Sequence, residues 1–199
     1  EVIDTYSDVA HHAVEVEGGG TRFGSGEAMI ERIDLLSASG ESTSLVYPGD
    51  PVRLRLHYRA KERIESPVFG ASIDTREGVF VWGLHGMDAC YVPTSIEPGT
   101  GHLDIEIPRL TFNPGAYTIS AAIQNHDMTG VIDALQKARR FDVLPGPGME
   151  SGGLVNLGAS FTGLTPARPM RDVPKRGAAD YENLARMQAQ QADALENED

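Results

Sequence analysis

The sequence VRLRLHYRAK at residues 52–61 alternates apolar and basic side chains with a period of two. Every second residue from Val52 to Ala60 is apolar or aromatic, and every residue between them, from Arg53 to Lys61, is basic. Because successive side chains of a β-strand point to opposite faces, the pattern predicts a strand with one face in a core and one in solvent.

Similar short runs precede and follow this stretch, with turn residues between them. They lie at 28–37, 44–50, 67–74, 78–83, 102–108, 115–125, 138–145 and 154–161. About eight short strands at roughly 10-residue spacing predict an all-β fold, an antiparallel sandwich or barrel. The expected inward residues of the later strands are Leu103, Ile105, Ile107, Tyr117, Ile119, Ala121, Ile123, Phe141 and Val143. Within this region, only residues 129–138 suggest a helical turn.

The chain divides into three parts by composition. Residues 1–27 form a polar, glycine-containing linker without sustained periodicity, and residues 28–161 form the β-sandwich domain. Residues 162–199 combine a proline-rich linker with an acidic tail that is rich in Ala and Gln. The composition of the tail predicts either a helix or a solvated, disordered segment.

Composition excludes several classes of partner. The net charge of −12 argues against nucleic acid and anionic membrane surfaces, since both require clustered Lys and Arg. The single cysteine, Cys90, excludes an internal disulfide and favours a reducing compartment, as in the cytoplasm. The sequence contains neither a run of about 18 apolar residues nor a signal-peptide pattern, so no direct membrane insertion is expected.

Catalytic and cofactor motifs are not found in the sequence. A P-loop requires a Gly-Lys pair, which does not occur, and HExxH, CxxC and GxSxG motifs are likewise missing. The pair His11-His12 lies in a polar segment, and we predict no metal site and no cofactor. A glycoside-processing enzyme would need two nearby carboxylates, for which the candidates are Asp74, Glu77, Asp104, Glu106 and Asp142.

The outward faces of two strands carry small residues that would form a shallow groove. These sets are Val68, Gly70, Ser72 and Asp74 on one strand, and Thr118, Ser120, Ala122 and Gln124 on the other. Within GVFVWGLHG (78–86), Trp82 is in phase with Phe80, so it looks outward beside the groove if Val79 and Val81 face the core. The alternative is that both aromatic residues lie in the core.

Residues that bind sugars combine aromatic faces with polar groups. The long loop at 84–101 is a further place for binding residues. The predicted glycan-binding residues are Trp82, His85, Asp88, Tyr91, Ser72, Asp74, Ser120 and Gln124. On the basic strand, Arg55, His57 and Arg59 are either a solvated face or contacts for an anion.

Four segments in order resemble a known family. They are GSGEA (24–28), PGDPVRLRLHY (48–58), the hairpin that begins with PVFGASI and ends at Gly83 (67–83), and NPGAYTISAAI (113–123). Over roughly residues 22–144 the chain resembles the C-terminal domain of Wzt, the nucleotide-binding subunit of ABC transporters that export O-antigen polysaccharide. Relatives commonly read Gly-Thr-Asn-Thr after the hairpin, whereas this chain reads GLHG at 83–86, so the ligand is expected to differ.

The resemblance implies an immunoglobulin-like β-sandwich that is not catalytic and is joined to an ATPase domain outside this chain. It implies a homodimer, with exchange of a terminal strand such as LVNLGASF (154–161), and association with the ATPase and membrane subunits in the cytoplasm. It also implies recognition of the non-reducing, often capped, end of the O-antigen polysaccharide. The alternatives are a structural dimerisation module without glycan binding, or the glycoside-processing enzyme considered above.

Overall fold

The computed structural model describes residues 14–16, 20–146, 150 and 152–159. Twelve strands lie within these ranges. They are β1 (Val14–Val16), β2 (Gly20–Phe23), β3 (Ala28–Leu36), β4 (Leu45–Val46), β5 (Val52–Ala60), β6 (Ile64–Glu65), β7 (Val68–Thr75), β8 (Phe80–His85), β9 (Ser95–Ile96), β10 (Gly99–Ile107), β11 (Gly115–Gln124) and β12 (Val131–Val143). The predicted tail over 162–199 and the pair His11-His12 lie outside the described residues.

The strands form two main sheets that enclose a single apolar core. The larger sheet has the order β1-β2-β12-β11-β7-β8, with β4 paired in parallel to the end of β12. The smaller sheet has the order β10-β5-β3, and β6 and β9 form a separate two-stranded sheet. All other neighbouring strands are antiparallel, so the predicted all-β antiparallel sandwich is confirmed.

The alternation that predicted β5 matches its environment. Val52, Leu54, Leu56 and Ala60 are buried, and Tyr58 is partly buried against the same core. The predicted inward residues of β11 and β12 are buried as well, and those of β10 are partly buried against the core. Burial of each large aliphatic side chain contributes about 1.5–3 kcal/mol, which explains why the period-two pattern defines these strands.

Two features identify the sandwich as immunoglobulin-like. The order β8-β7-β11-β12 against β3-β5-β10 is the strand arrangement of that fold. In addition, the hydroxyl of Tyr117, near the start of β11, donates a 2.7 Å hydrogen bond to the carbonyl of Asn113. This contact is the tyrosine corner of immunoglobulin-like domains. The ring of Tyr117 stacks on those of Phe112 and Phe141 in the core.

Three local predictions are corrected. The helical turn expected over 129–138 is wrong, because most of this segment forms β12, bonded to β11 and β2. The loop expected over 84–101 is shorter, because β8 extends to His85 and β10 begins at Gly99. Residues 154–159 are not a strand: they form one isolated bridge, between Phe112 and Val155, and residues 160–161 lie outside the description.

Part of the predicted linker at 1–27 belongs to the larger sheet, since β1 pairs with β2 and β2 pairs with β12. Arg22 on β2 forms an ion pair with the buried Asp133 of β12, at 3.4 Å, and donates a hydrogen bond to the carbonyl of Ile30. Asp133 also accepts a 2.7 Å hydrogen bond from the amide of Ile30. These contacts join β2 to both sheets.

Candidate functional site

The outer face of the larger sheet holds a groove of about 480 Å³. Its floor consists of small residues from three adjacent strands: Gly70 and Ser72 of β7, Ser120 and Ala122 of β11, and Ala134 of β12. These residues are cross-strand neighbours, so their side chains lie on one face. Small side chains in adjacent positions leave the backbone of the sheet close to any bound molecule.

Aromatic side chains flank the groove on both sides. Phe80 of β8 lines it and is 66% exposed, and Phe23 of β2 lines the other side. A Cβ added to Gly83 would lie 2.8 Å from Cζ of Phe80, so the ring of Phe80 lies over the place that a side chain at residue 83 would occupy. An exposed ring held in this way offers a flat apolar surface beside polar groups.

The prediction that Trp82 faces outward is wrong. Trp82 lies opposite Ile73, a core residue, whereas Phe80 lies opposite Asp74 on the outer face. The register shift between these pairs leaves Val81 as an extra residue, and such a bulge places residues two apart on opposite faces. Trp82 is therefore partly buried against the core and does not line the groove.

Five of the predicted glycan-binding residues line the groove together: Ser72, His85, Asp88, Ser120 and Gln124. Nε2 of His85 lies 3.1 Å from a carboxylate oxygen of Asp88, and the amide of Asp88 donates a 3.4 Å hydrogen bond to Nδ1. The hydroxyl of Ser120 accepts a 2.9 Å hydrogen bond from the amide of Lys137. Among the described residues, the side chains of Ser72 and Gln124 have no hydrogen-bond partner and remain available to a ligand.

Other predicted positions lie elsewhere. Asp74 is on the same face but outside the groove, and burial raises the pKa of its carboxyl, against the opposing effect of Lys137. Tyr91 is not at the mouth of the groove, since it lines two cavities on the other side of β8. Two members of the outward sets, Val68 and Thr118, are buried rather than exposed to a ligand.

The basic face of β5 is neutralised by its neighbours and is not a free anion site. Nε and Nη2 of Arg55 each donate a 2.8 Å hydrogen bond to Asp104 of β10. His57 lies 2.9 Å from Asp34 of β3. Arg59 lies 2.6 Å from Glu31. Acidic residues on both flanking strands thus hold the predicted anion contacts Arg55, His57 and Arg59.

The carboxylates that an enzyme would need do not form a pair across the groove. Asp104 and Glu106 lie on the outer face of the smaller sheet, each bonded to an arginine of β5. The hydrogen bond from Arg55 lowers the pKa of Asp104, which keeps it ionised rather than available as an acid. Asp74 lies on the larger sheet, and the two outer faces point away from each other.

Several groove residues were not predicted from the sequence. Phe23, Ala134 and Gln136 line the groove, and the hydroxyl of Thr21 donates a 3.0 Å hydrogen bond to Gln136. Their strands were assigned to a linker and to a helical turn. Phe80 was not named as a binding residue either, although its phase with Trp82 within GVFVWG already allowed it an outward position.

Fold and site together define an immunoglobulin-like β-sandwich with an open groove, lined by polar and aromatic side chains, on its larger sheet. The family model described as the Wzt C-terminal domain matches residues 20–157. The chain therefore belongs to the Wzt C-terminal domain family, and the resemblance seen in the sequence is confirmed.

Comparison with solved structures agrees with this assignment. The crystal structure of the C-terminal domain of Wzt matches with a TM-score of 0.67 and 20% identity, over 79% of this chain and 96% of that one. A Bacteroides uniformis β-glucuronidase matches with a TM-score of 0.39 and 12% identity, over 55% of this chain and 14% of that one. This second similarity is too low to support an inference of function.

A search of curated protein sequences found no match. Across the described ranges, no helix has the length and apolar character needed to cross a membrane.

Proposed function

We propose that this domain is a non-catalytic carbohydrate-binding module that recognises the non-reducing end of lipid-linked O-antigen polysaccharide, including any cap on that end. The observation that carries the proposal is the groove, in which a floor of small residues lies between the rings of Phe80 and Phe23. Its volume of about 480 Å³ falls within the usual range for ligand sites, roughly 300–1,000 Å³.

The side chains suit a sugar. The apolar C–H face of a sugar ring stacks on an aromatic ring such as Phe80, and its hydroxyl groups need hydrogen-bond partners. The hydroxyl of Ser72 and the amide of Gln124 can both donate and accept such bonds, and the His85–Asp88 pair supplies a third polar contact. Recognition of this kind requires no acid–base pair, in keeping with a domain that binds and does not catalyse.

Family membership supports the setting. We place the domain at the cytoplasmic face of the inner membrane, attached to the ATPase of an ABC transporter and associated with its membrane subunits. There, recognition of a finished chain end would couple completion of the polysaccharide to its export.

The first experiment is a calorimetric titration of the chain with a panel of purified O-polysaccharides, each intact and with the non-reducing terminal sugar removed. We expect one polysaccharide to bind, and its binding to disappear with the terminus. Phe80→Ala should abolish binding, whereas Val79→Ala, at an exposed neighbouring position outside the groove, should not. Equal binding of intact and truncated chains would contradict end recognition.

A second candidate function is dimerisation, and one observation favours it. Leu154, Val155 and Leu157 are exposed, and Leu157 is 81% exposed. They lie in the segment 154–161 that the sequence suggested for exchange between protomers. We propose a homodimer formed through this segment. Light scattering should then give twice the chain mass of 21.4 kDa, and Leu157→Glu should give the monomer. A wild-type monomer would exclude this role, which is compatible with glycan binding.

A further inference from the structure

A second recess lies beside β10, on the side of the sandwich where the edge strands β8 and β10 approach each other. It consists of two cavities of about 400 and 200 Å³. Both are lined by Phe69, Tyr91, Leu103 and Asp104. Since four residues are common to both, the cavities are neighbouring compartments of one recess, here termed the β10 crevice.

The β10 crevice adjoins the groove at the end of β8. His85 and Leu84 line both the groove and the smaller compartment of the crevice. Gly70 allows His85 to lie close to the sheet, since an added Cβ there would be 3.2 Å from Cβ of His85. A ligand that extends beyond the groove would therefore reach the crevice by crossing the edge strand β8 at His85.

The larger compartment carries the same chemistry as the groove. Tyr91 is 63% exposed, and Tyr58 reaches the crevice with its ring over Gly101, where an added Cβ would lie 2.5 Å from the ring. In the described part of the chain, the Tyr58 hydroxyl and the ring nitrogens of His102 have no hydrogen-bond or ion-pair partner. Asp104 adds a carboxylate that accepts hydrogen bonds.

These residues are the combination that sugars require, namely aromatic faces together with polar groups, of which the Tyr58 hydroxyl and the His102 ring nitrogens have unused bonding capacity. His102, Asp104 and Ser95 line the larger compartment, so it offers polar contacts as well as aromatic ones. A polysaccharide chain continues beyond its terminal residue, so the sugars that follow must leave the groove in some direction. The path over His85 leads them to Tyr91.

We propose that the β10 crevice binds the sugars that follow the terminal disaccharide of the same polysaccharide chain, with Tyr91 and His102 as contact residues. The inference rests on the function proposed above and extends it: the domain reads several consecutive sugars rather than the end alone. Specificity for the repeat unit then resides in the crevice, and recognition of the terminus in the groove.

The test compares two probes on the full 199-residue chain. They are the intact O-polysaccharide that binds best in the panel, and the non-reducing terminal disaccharide released from the same polymer. Wild-type protein should bind the polymer more tightly than the disaccharide. Tyr91→Ala should weaken polymer binding roughly three- to tenfold, the loss of about one aromatic contact, and leave disaccharide binding unchanged. His102→Ala should act in the same direction.

The matched control is Tyr47→Ala, which removes another exposed tyrosine, outside the residues that line the groove and the crevice. It should leave both affinities unchanged. If wild-type protein binds disaccharide and polymer equally well, or if Tyr91→Ala weakens neither or both to the same degree, the crevice inference is wrong while the proposed function stands. If wild-type protein binds neither probe, both are wrong.

Discussion

The ring of Phe80 lies across Gly83, at a distance where a single added carbon would collide with it: a Cβ on Gly83 would be 2.8 Å from Cζ of Phe80. The contact exists because a bulge in β8 places Phe80 on the outer face, opposite Asp74. This contact sets the position of the Phe80 ring at one side of the groove. A substitution at Gly83 therefore tests whether that ring contributes to ligand binding.

Gly83→Ala should displace the Phe80 ring and impair glycan binding. Because the atom that must move is the end of an exposed side chain, the free energy of unfolding should change by no more than about 0.5 kcal/mol. Calorimetric titration with the polysaccharide that binds the wild-type protein measures the affinity, and urea denaturation measures the free energy of unfolding. Gly152→Ala, where an added Cβ meets nothing within 4 Å, is the control and should alter neither. Unchanged binding by Gly83→Ala would argue against Phe80 as the stacking ring.

Trp82→Ala should destabilise the fold, whereas Phe80→Ala should not. Trp82 packs partly buried against the core, so its truncation should lower the free energy of unfolding by about 2–4 kcal/mol. Phe80 is largely exposed, and its loss should stay within about 0.5 kcal/mol. Urea denaturation of the two variants measures both changes in the free energy of unfolding. A stable Trp82→Ala protein that has lost glycan binding would restore the tryptophan as the ligand contact.

Tyr117→Phe should lower stability without affecting glycan binding. The substitution removes the 2.7 Å hydrogen bond to Asn113 and leaves a buried carbonyl unsatisfied, at a cost of about 1–3 kcal/mol. Burial raises the pKa of Tyr117 to about 12, so in the wild-type protein one tyrosine should ionise only near that pH by ultraviolet titration. The Tyr117→Phe protein should lack this late transition. Tyr47→Phe, at an exposed ring, should retain it and keep full stability.

Asp104 should make stability depend on pH in the acid range. In the folded state, the hydrogen bonds from Arg55 lower the pKa of the Asp104 carboxyl below its ordinary value of 3.8. The unfolded chain therefore takes up the proton first as pH falls. The stabilising contribution is therefore present above about pH 4 and is lost as pH falls through the folded pKa.

Asp104→Asn should flatten this part of the pH profile, as measured by urea denaturation between about pH 2 and pH 7. Arg55→Gln should flatten it as well, because it removes the donor that lowers the pKa. If Asp104→Asn lost stability with acid as steeply as the wild-type protein does, the Arg55–Asp104 pair would not be the cause.

The sequence predicted the sandwich well because burial repeats at every second residue. Apolar residues on these strands recur at multiples of two positions, which is the period of a β-strand and not of a helix. Examples that are buried are Leu54 and Leu56 on β5, and Ile119 and Ile123 on β11. The prediction of an outer groove succeeded for the same reason, since Gly70, Ser72, Ser120 and Ala122 occupy the alternate positions of the same strands.

Prediction failed where an element departs from regular pairing. Trp82 and Phe80 are two apart and would share a face in a regular strand, but the bulge at Val81 separates them. The basic residues of β5 suggested an anion site because their partners, among them Glu31 and Asp104, lie on other strands. Phe23 was assigned to a linker because β2 is too short to show a period.

Local sequence thus determined the strands with clear alternation, their inward faces and the small residues of the outer face, because each depends on alternation within one strand. Only the tertiary structure decided which aromatic ring flanks the groove, that the β5 cations are neutralised, and that Tyr91 lies in the crevice. These outcomes depend on the register between strands distant in the chain, and a shift of one residue moves a side chain to the opposite face.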